Sequence, residues 1–167
     1  MKAPCWCKQS PQELTRRIRA LLAVFIAGLV LSGLTAFPLL HELDLLTALL
    51  PVQGGALVWW IRHVHTALAA TYRDWPFLGY GTDWLAFGHL VIALFFIGPL
   101  RDPVRNVWVI DAGLIACAGV IPLALICGGI RCIPFSWRLI DCSFGVIGAV
   151  PLWWVRRMIG ELEKGRA

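Results

Sequence analysis

Charge is scarce in this chain. Asp, Glu, Lys and Arg make up 15% of its 167 residues, and acids are fewer than bases, ten against fifteen. So few charges cannot clothe a water-soluble domain of this size when 59% of the residues are hydrophobic and the mean hydropathy is +0.73. A Cys-x-x-Cys pair is missing, which removes the usual dithiol redox motif. Neither Ser136 nor Ser143 stands in a nucleophile-elbow context, so a Ser-His-Asp hydrolase is not signalled. The basic residues form no stripe interleaved with stacking aromatics, which argues against nucleic acid as a partner. Histidine is rare, four in all. His63 and His65 fall roughly 160° apart on a helical wheel, so they cannot chelate a metal as an i, i+4 pair does.

What fills the chain instead is long apolar runs. They cover residues 18–40, 84–100, 107–127 and 139–155, each near the roughly 17–25 residues that cross about 30 Å of hydrocarbon. The sequence therefore predicts a single all-α membrane unit over 1–167, a bundle of four transmembrane helices embedded in the lipid bilayer. Lys and Arg concentrate before the first run, in the turn 101–106, and in the tail 156–167. With four spans these segments share one side, and the positive-inside rule makes that side cytoplasmic. A multi-pass bacterial inner-membrane protein with a cytoplasmic tail 1–17 and both termini inside is expected. The first run is longer than a signal-peptide core, and Leu34 stands where cleavage near Ala36 needs a small residue. An uncleaved anchor is the expectation.

Residues 41–83 are expected on the external face as one or two short amphipathic helices. Leu43, Leu46 and Leu50 have helical spacing, Pro51 to Gly55 break it, and then Leu57, Trp60, Ile61, Val64 and Leu68 form one apolar face. Arg62, Thr66, Ala69 and Arg73 lie opposite, as in a helix resting in the interface plane. Thr82 or Asp83 is the expected N-cap of the second span, with Trp84 as its interface anchor. Pro38 is expected to end or bend the first span. Residues 128–138 form a short external loop.

Ionisable residues near or within spans raise the functional question. His89, Asp141 and Arg138 all map to the external half and form a candidate outward-facing polar pocket, roofed by Arg62, His63 and His65. The alternative is that His89 merely hydrogen-bonds a neighbouring helix, and that Asp141, Arg138 and Asp111, each within about a turn of a span end, are structural anchors. Arg101, Asp102, Arg105, Asn106 and Asp111 form a second candidate cluster on the cytoplasmic face. No cofactor is required by the sequence. Haem b is the one that the bundle and its histidines leave open, but only His89 lies inside a span, and axial ligation needs histidines at matching depth on facing helices. Cys127, Cys132 and Cys142 map toward the external side, where a disulfide can persist, and unpaired apolar packing is the other reading. Cys5 and Cys7 have no nearby partner ligands for a zinc site and read as thiols in an exposed tail.

The segments Asp83-Trp-Leu-Ala-Phe-Gly-His89, Gly98-Pro-Leu-Arg-Asp-Pro-Val-Arg-Asn106 and Gly129-Ile-Arg-Cys-Ile-Pro-Phe-Ser-Trp-Arg-Leu-Ile-Asp-Cys-Ser-Phe-Gly145 resemble those of a group of short bacterial polytopic inner-membrane proteins of unknown function. The resemblance runs from the first span onward, leaves out Cys5-Trp6-Cys7, and implies an inner-membrane location without an activity. Three roles follow. The first is a non-enzymatic accessory, scaffold or sensor component with a membrane-protein partner or a second copy of itself. The second is a small transport or ligand-binding unit using the external pocket. The third is a haem or redox protein.

Overall fold

Ser10 accepts a hydrogen bond from the Glu13 N–H at 3.2 Å, and Pro11 occupies the first turn. This pairing satisfies one orphan donor and presets the backbone for a helix. The first helix, α1 (Pro11–Ala36), therefore starts in the polar segment, ahead of the apolar run. It ends before Phe37-Pro38, and Pro38 sits at the N-cap of α2 (Leu39–Leu49). After a break come α3 (Ala56–Asp74), a 3-10 turn (Pro76–Gly79), α4 (Tyr80–Phe95), α5 (Ile97–Arg101), α6 (Val107–Ile130) and α7 (Phe135–Lys164). This is a computed structural model, and it describes residues 10–51 and 54–165. Cys5 and Cys7 lie outside the described residues.

Among those residues there is no strand, and the fold is all-α. Four stretches are long and apolar enough to cross a membrane: Pro11–Ala36, Pro76–Arg101, Val107–Ile130 and Phe135–Lys164.

The four long helices follow the order α4, α1, α7, α6, because α1 packs along α4 on one side and α7 on the other, while α6 packs along α7. The large buried side chains gather at one end. Leu14, Ile18 and Leu22 of α1 meet Ile110 of α6 and Leu152, Val155 and Ile159 of α7. Phe96 closes this core, its ring 4.7 Å from Phe25. Gly113 makes room for it, since a Cβ there would lie 2.8 Å from Phe96 and 2.9 Å from Leu152. The same end, the basic end of the bundle, carries eight basic side chains against five acidic ones among the described residues, a net of +3.

Toward the other end the helices touch through small residues. Gly33 of α1 is buried against α4, where a Cβ would come 2.9 Å from the Ala86 carbonyl oxygen. Gly145 of α7 is buried against α6, where a Cβ would come 2.5 Å from the Cys117 oxygen. Close backbone approach through small residues is how helices associate where lipid tails are as apolar as leucine.

The expected N-cap of the second span is corrected. The 3-10 turn begun by Pro76 feeds directly into α4, which starts at Tyr80 with Gly79 before it and no side-chain cap. Thr82 instead donates to the Gly79 carbonyl at 2.6 Å and shares a 2.9 Å hydrogen bond with the Tyr72 hydroxyl, which ties α3 to α4.

The end of α6 is a Schellman motif. Cys132 N–H donates to the Gly129 oxygen and Ile133 N–H to the Gly128 oxygen, at 3.1 and 2.9 Å, and Pro134 follows. Cys132 holds φ at 56°, the left-handed position usually given to glycine.

Candidate functional site

Two polar groupings stand at opposite ends of the bundle. At the end away from the basic one, α2 and α3 form a helical hairpin. Arg62 of α3 reaches the C-terminal end of α2, where its Nη2 donates to the carbonyls of Thr47, Leu50 and Pro51 at 3.1, 2.9 and 3.2 Å. The Thr47 carbonyl is an orphan of the last turn and those of Leu50 and Pro51 follow the helix, and a guanidinium there also meets the negative end of the helix dipole. One turn along, His65 Nε2 donates to Asp44 Oδ1 at 2.6 Å. His63 stacks on Trp59, ring centroids 5.1 Å apart and planes 11° from parallel, with the Trp60 ring 5.6 Å away. At the end of α3 the Asp74 carboxylate, 2.9 Å from Arg73, holds that exposed guanidinium further above its ordinary pKa.

His89 is half-buried on α4 and donates from Nδ1 to the Leu85 carbonyl of its own helix at 2.8 Å. That bond assigns the ring proton to Nδ1 and leaves Nε2 as the free nitrogen. Arg138 lies across the end of α6. A Cβ on Gly128 would meet its Cγ and Cδ at 2.8 Å, and Nη1 donates to the Leu125 carbonyl at 3.4 Å. Asp141 is half-buried on α7. Among the described residues no hydrogen bond or ion pair joins any two of Arg62, His63, His65, His89, Arg138 and Asp141. The structure brings Arg62, His63 and His65 together on α3 and gives each of the others its own surroundings. Cys127, Cys132 and Cys142 carry free thiols, with Cys142 Sγ 4.0 Å from the Ile121 oxygen.

At the basic end, Asp102 Oδ1 accepts from the Arg105 N–H at 3.2 Å, and Asn106 Nδ2 donates to the Asp102 and Gly98 carbonyls at 2.9 and 3.3 Å. These bonds shape the turn between α5 and α6. Arg101 offers its carbonyl to Arg19 Nη2 of α1 at 3.3 Å. Asp111 accepts from Arg156 Nε of α7 at 2.7 Å. Arg156, Arg19 and the stack of Arg157 on Trp153 at 3.9 Å do not stand out in the sequence. Their signal is positional: with four antiparallel helices, the start of α6 and the end of α7 fall at one level.

Compared with protein-family models, curated proteins and solved structures, the chain matches none.

Proposed function

We propose that this chain is a multi-pass component of a bacterial inner membrane, with its basic end and both termini in the cytoplasm. In this reading the α2–α3 hairpin rests in the external interface, its apolar side toward lipid. The charge distribution supports the orientation: a net of +3 among the described residues at the basic end, against four basic and five acidic side chains at the other. The molecular role is that of a non-enzymatic accessory, scaffold or sensor subunit.

The observation that carries this role is the use made of the polar side chains. Arg62 pins α3 to α2, Arg138 pins α7 to α6, His65 pins α3 to Asp44, and Arg156 pins α7 to Asp111. Groups that a catalytic site would keep free are committed to holding helices in place. Extraction of the full chain in mild detergent tests the role. A complex of fixed stoichiometry, with a second membrane protein or with further copies of the chain, is expected. A lone, monodisperse monomer overturns it.

A second reading, a small ligand-binding or transport unit, is favoured by one observation. His89 and Asp141 are half-buried in apolar helices and make no interhelical hydrogen bond among the described residues. Intramembrane ionisable groups kept in that state mark ligand or ion paths. A double-mutant cycle of His89→Leu and Asp141→Leu tests it: residues sharing a site couple by roughly 0.5–3 kcal/mol, and additivity within about 0.5 kcal/mol removes the shared pocket.

A further inference from the structure

We propose that the last turns of α7 bind the headgroup of an anionic phospholipid in a groove on the outer face of the helix. The proposal rests on the membrane-spanning reading above. Trp153, Arg157, Gly160, Glu161 and Lys164 recur at helical spacing along one face of α7, and together with Arg156 they line an open groove of about 390 Å³. The opposite face, with Val155, Ile159 and Leu162, is packed into the core. The groove is thus turned outward by the same packing that buries the other side.

Its chemistry suits a phosphodiester. The guanidinium of Arg157 lies over the Trp153 ring at 3.9 Å, which holds it against the helix and leaves its N–H edge free. That edge is the part of arginine that matches phosphate oxygens. Arg157 and Lys164 make no ion pair among the described residues, whereas Arg156 is engaged by Asp111. A Cβ at Gly160 would meet nothing within 4 Å, so the floor between the two free cations is bare. Glu161 lines the same groove and opposes an anion.

Continuity with the outer surface favours a lipid over free phosphate. Toward the middle of the bundle the face continues through Trp154, Val150 and Ile147, at 51, 52 and 67% exposure. That is a track for an acyl chain beginning where the basic residues end. An indole at the interface with a cation one turn beyond it is also the arrangement that places a headgroup at phosphate level.

The test is reconstitution of the full chain into phosphatidylcholine nanodiscs with and without phosphatidylglycerol, followed by native mass spectrometry of the lipid retained. The wild type is expected to keep phosphatidylglycerol in preference to phosphatidylcholine. Arg157→Gln with Lys164→Gln lowers that preference roughly thirty-fold, from two surface cations lost. Glu161→Gln raises it, and Arg73→Gln, a cation at the other end, leaves it unchanged. Equal retention of the two lipids by the wild type overturns the groove, as does a preference that survives the double substitution. Displacement of phosphatidylglycerol by inorganic phosphate alone makes this a free-anion site and overturns it too. A chain that does not enter phosphatidylcholine at all overturns the membrane-spanning reading, and the groove with it. Insertion without a lipid preference overturns the groove alone.

Discussion

At the basic end the helices meet through large side chains, Ile18, Leu22, Ile110, Leu152 and Ile159, all fully buried. Toward the hairpin end the buried contacts between the long helices are made by Gly33, Ala86 and Gly145, and the large residues Leu34, Phe87, Ile126 and Phe144 are more than half exposed. One end resembles the core of a soluble protein and the other the interior of a membrane bundle. Part of the difference follows from solvent. Ile159 and Leu162 lie beyond the last apolar run, where burial removes apolar surface from water. Where lipid surrounds the helix, an exposed leucine costs nothing and only close approach of backbones and dispersion contacts hold helices together.

The largest test of this contrast is a truncation at the basic end. Ile159→Ala leaves a cavity in a packed core and is expected to cost about 2–5 kcal/mol. Leu123→Ala, at a residue 61% exposed on α6, is expected to stay within about 0.5 kcal/mol. Reversible unfolding in mixed sodium dodecyl sulfate micelles reads both. Equal losses at the two positions would mean that the outer half of α6 is covered by protein rather than lipid.

A smaller effect is expected from Arg62→Ala. Its guanidinium serves three carbonyls at the end of α2, and hydrogen bonds to a charged group contribute about 1.5–3 kcal/mol. The loss should be local. Hydrogen exchange in the last turn of α2 should accelerate while α6 and α7 keep their protection. Acceleration throughout the bundle would show that the hairpin is part of the core rather than an appendage.

Adding a methyl group probes the small-residue contacts. At Gly145 a Cβ would sit 2.5 Å from a backbone oxygen of α6, which cannot swing aside, so Gly145→Ala is expected to cost about 1–3 kcal/mol. A methyl group on Gly28 would meet nothing within 4 Å, and Gly28→Ala should be neutral or mildly stabilising. The same unfolding measurement decides, and a reversed order would mean that α6 and α7 do not meet at Gly145.

The helical class and the four apolar stretches are legible in the sequence because hydrocarbon thickness imposes a length that composition alone reveals. The break at Pro38 is legible for a local reason, the missing N–H and the fixed φ of proline. Which groups meet across helices is much less so. Asp111 reads as a neighbour of Arg101 and Arg105 along the chain, yet its carboxylate goes to Arg156, 45 residues away. Arg138 reads as either an anchor or part of a pocket, and the sequence does not show that two glycines at the end of α6 leave a trough in which its methylenes lie. Pairings of this kind depend on helix rotation, which apolar runs without strong periodicity do not specify. The N-cap of α4 is illegible for another reason: Thr82 has a second use, bonding Tyr72 across to α3.

The smallest effect, and the one with the opposite sign, is at Cys132. A side chain at φ 56° crowds its own carbonyl, at a cost of roughly 1–2 kcal/mol that glycine does not bear. Glycine loses part of that advantage to the greater freedom it gives the unfolded chain, about 0.4–1 kcal/mol. Cys132→Gly is therefore expected to stabilise the fold by roughly 1 kcal/mol or less. The sign also separates two states of the hairpin end. If Cys132 were bridged to Cys127 or Cys142 in the native protein, the substitution would remove a disulfide and cost about 2–5 kcal/mol instead. Running the comparison with and without reductant distinguishes them. A gain that is indifferent to reductant means a free thiol in a strained Schellman turn, and a loss that reductant reproduces in the wild type means that a covalent staple closes the end that has no core of large side chains.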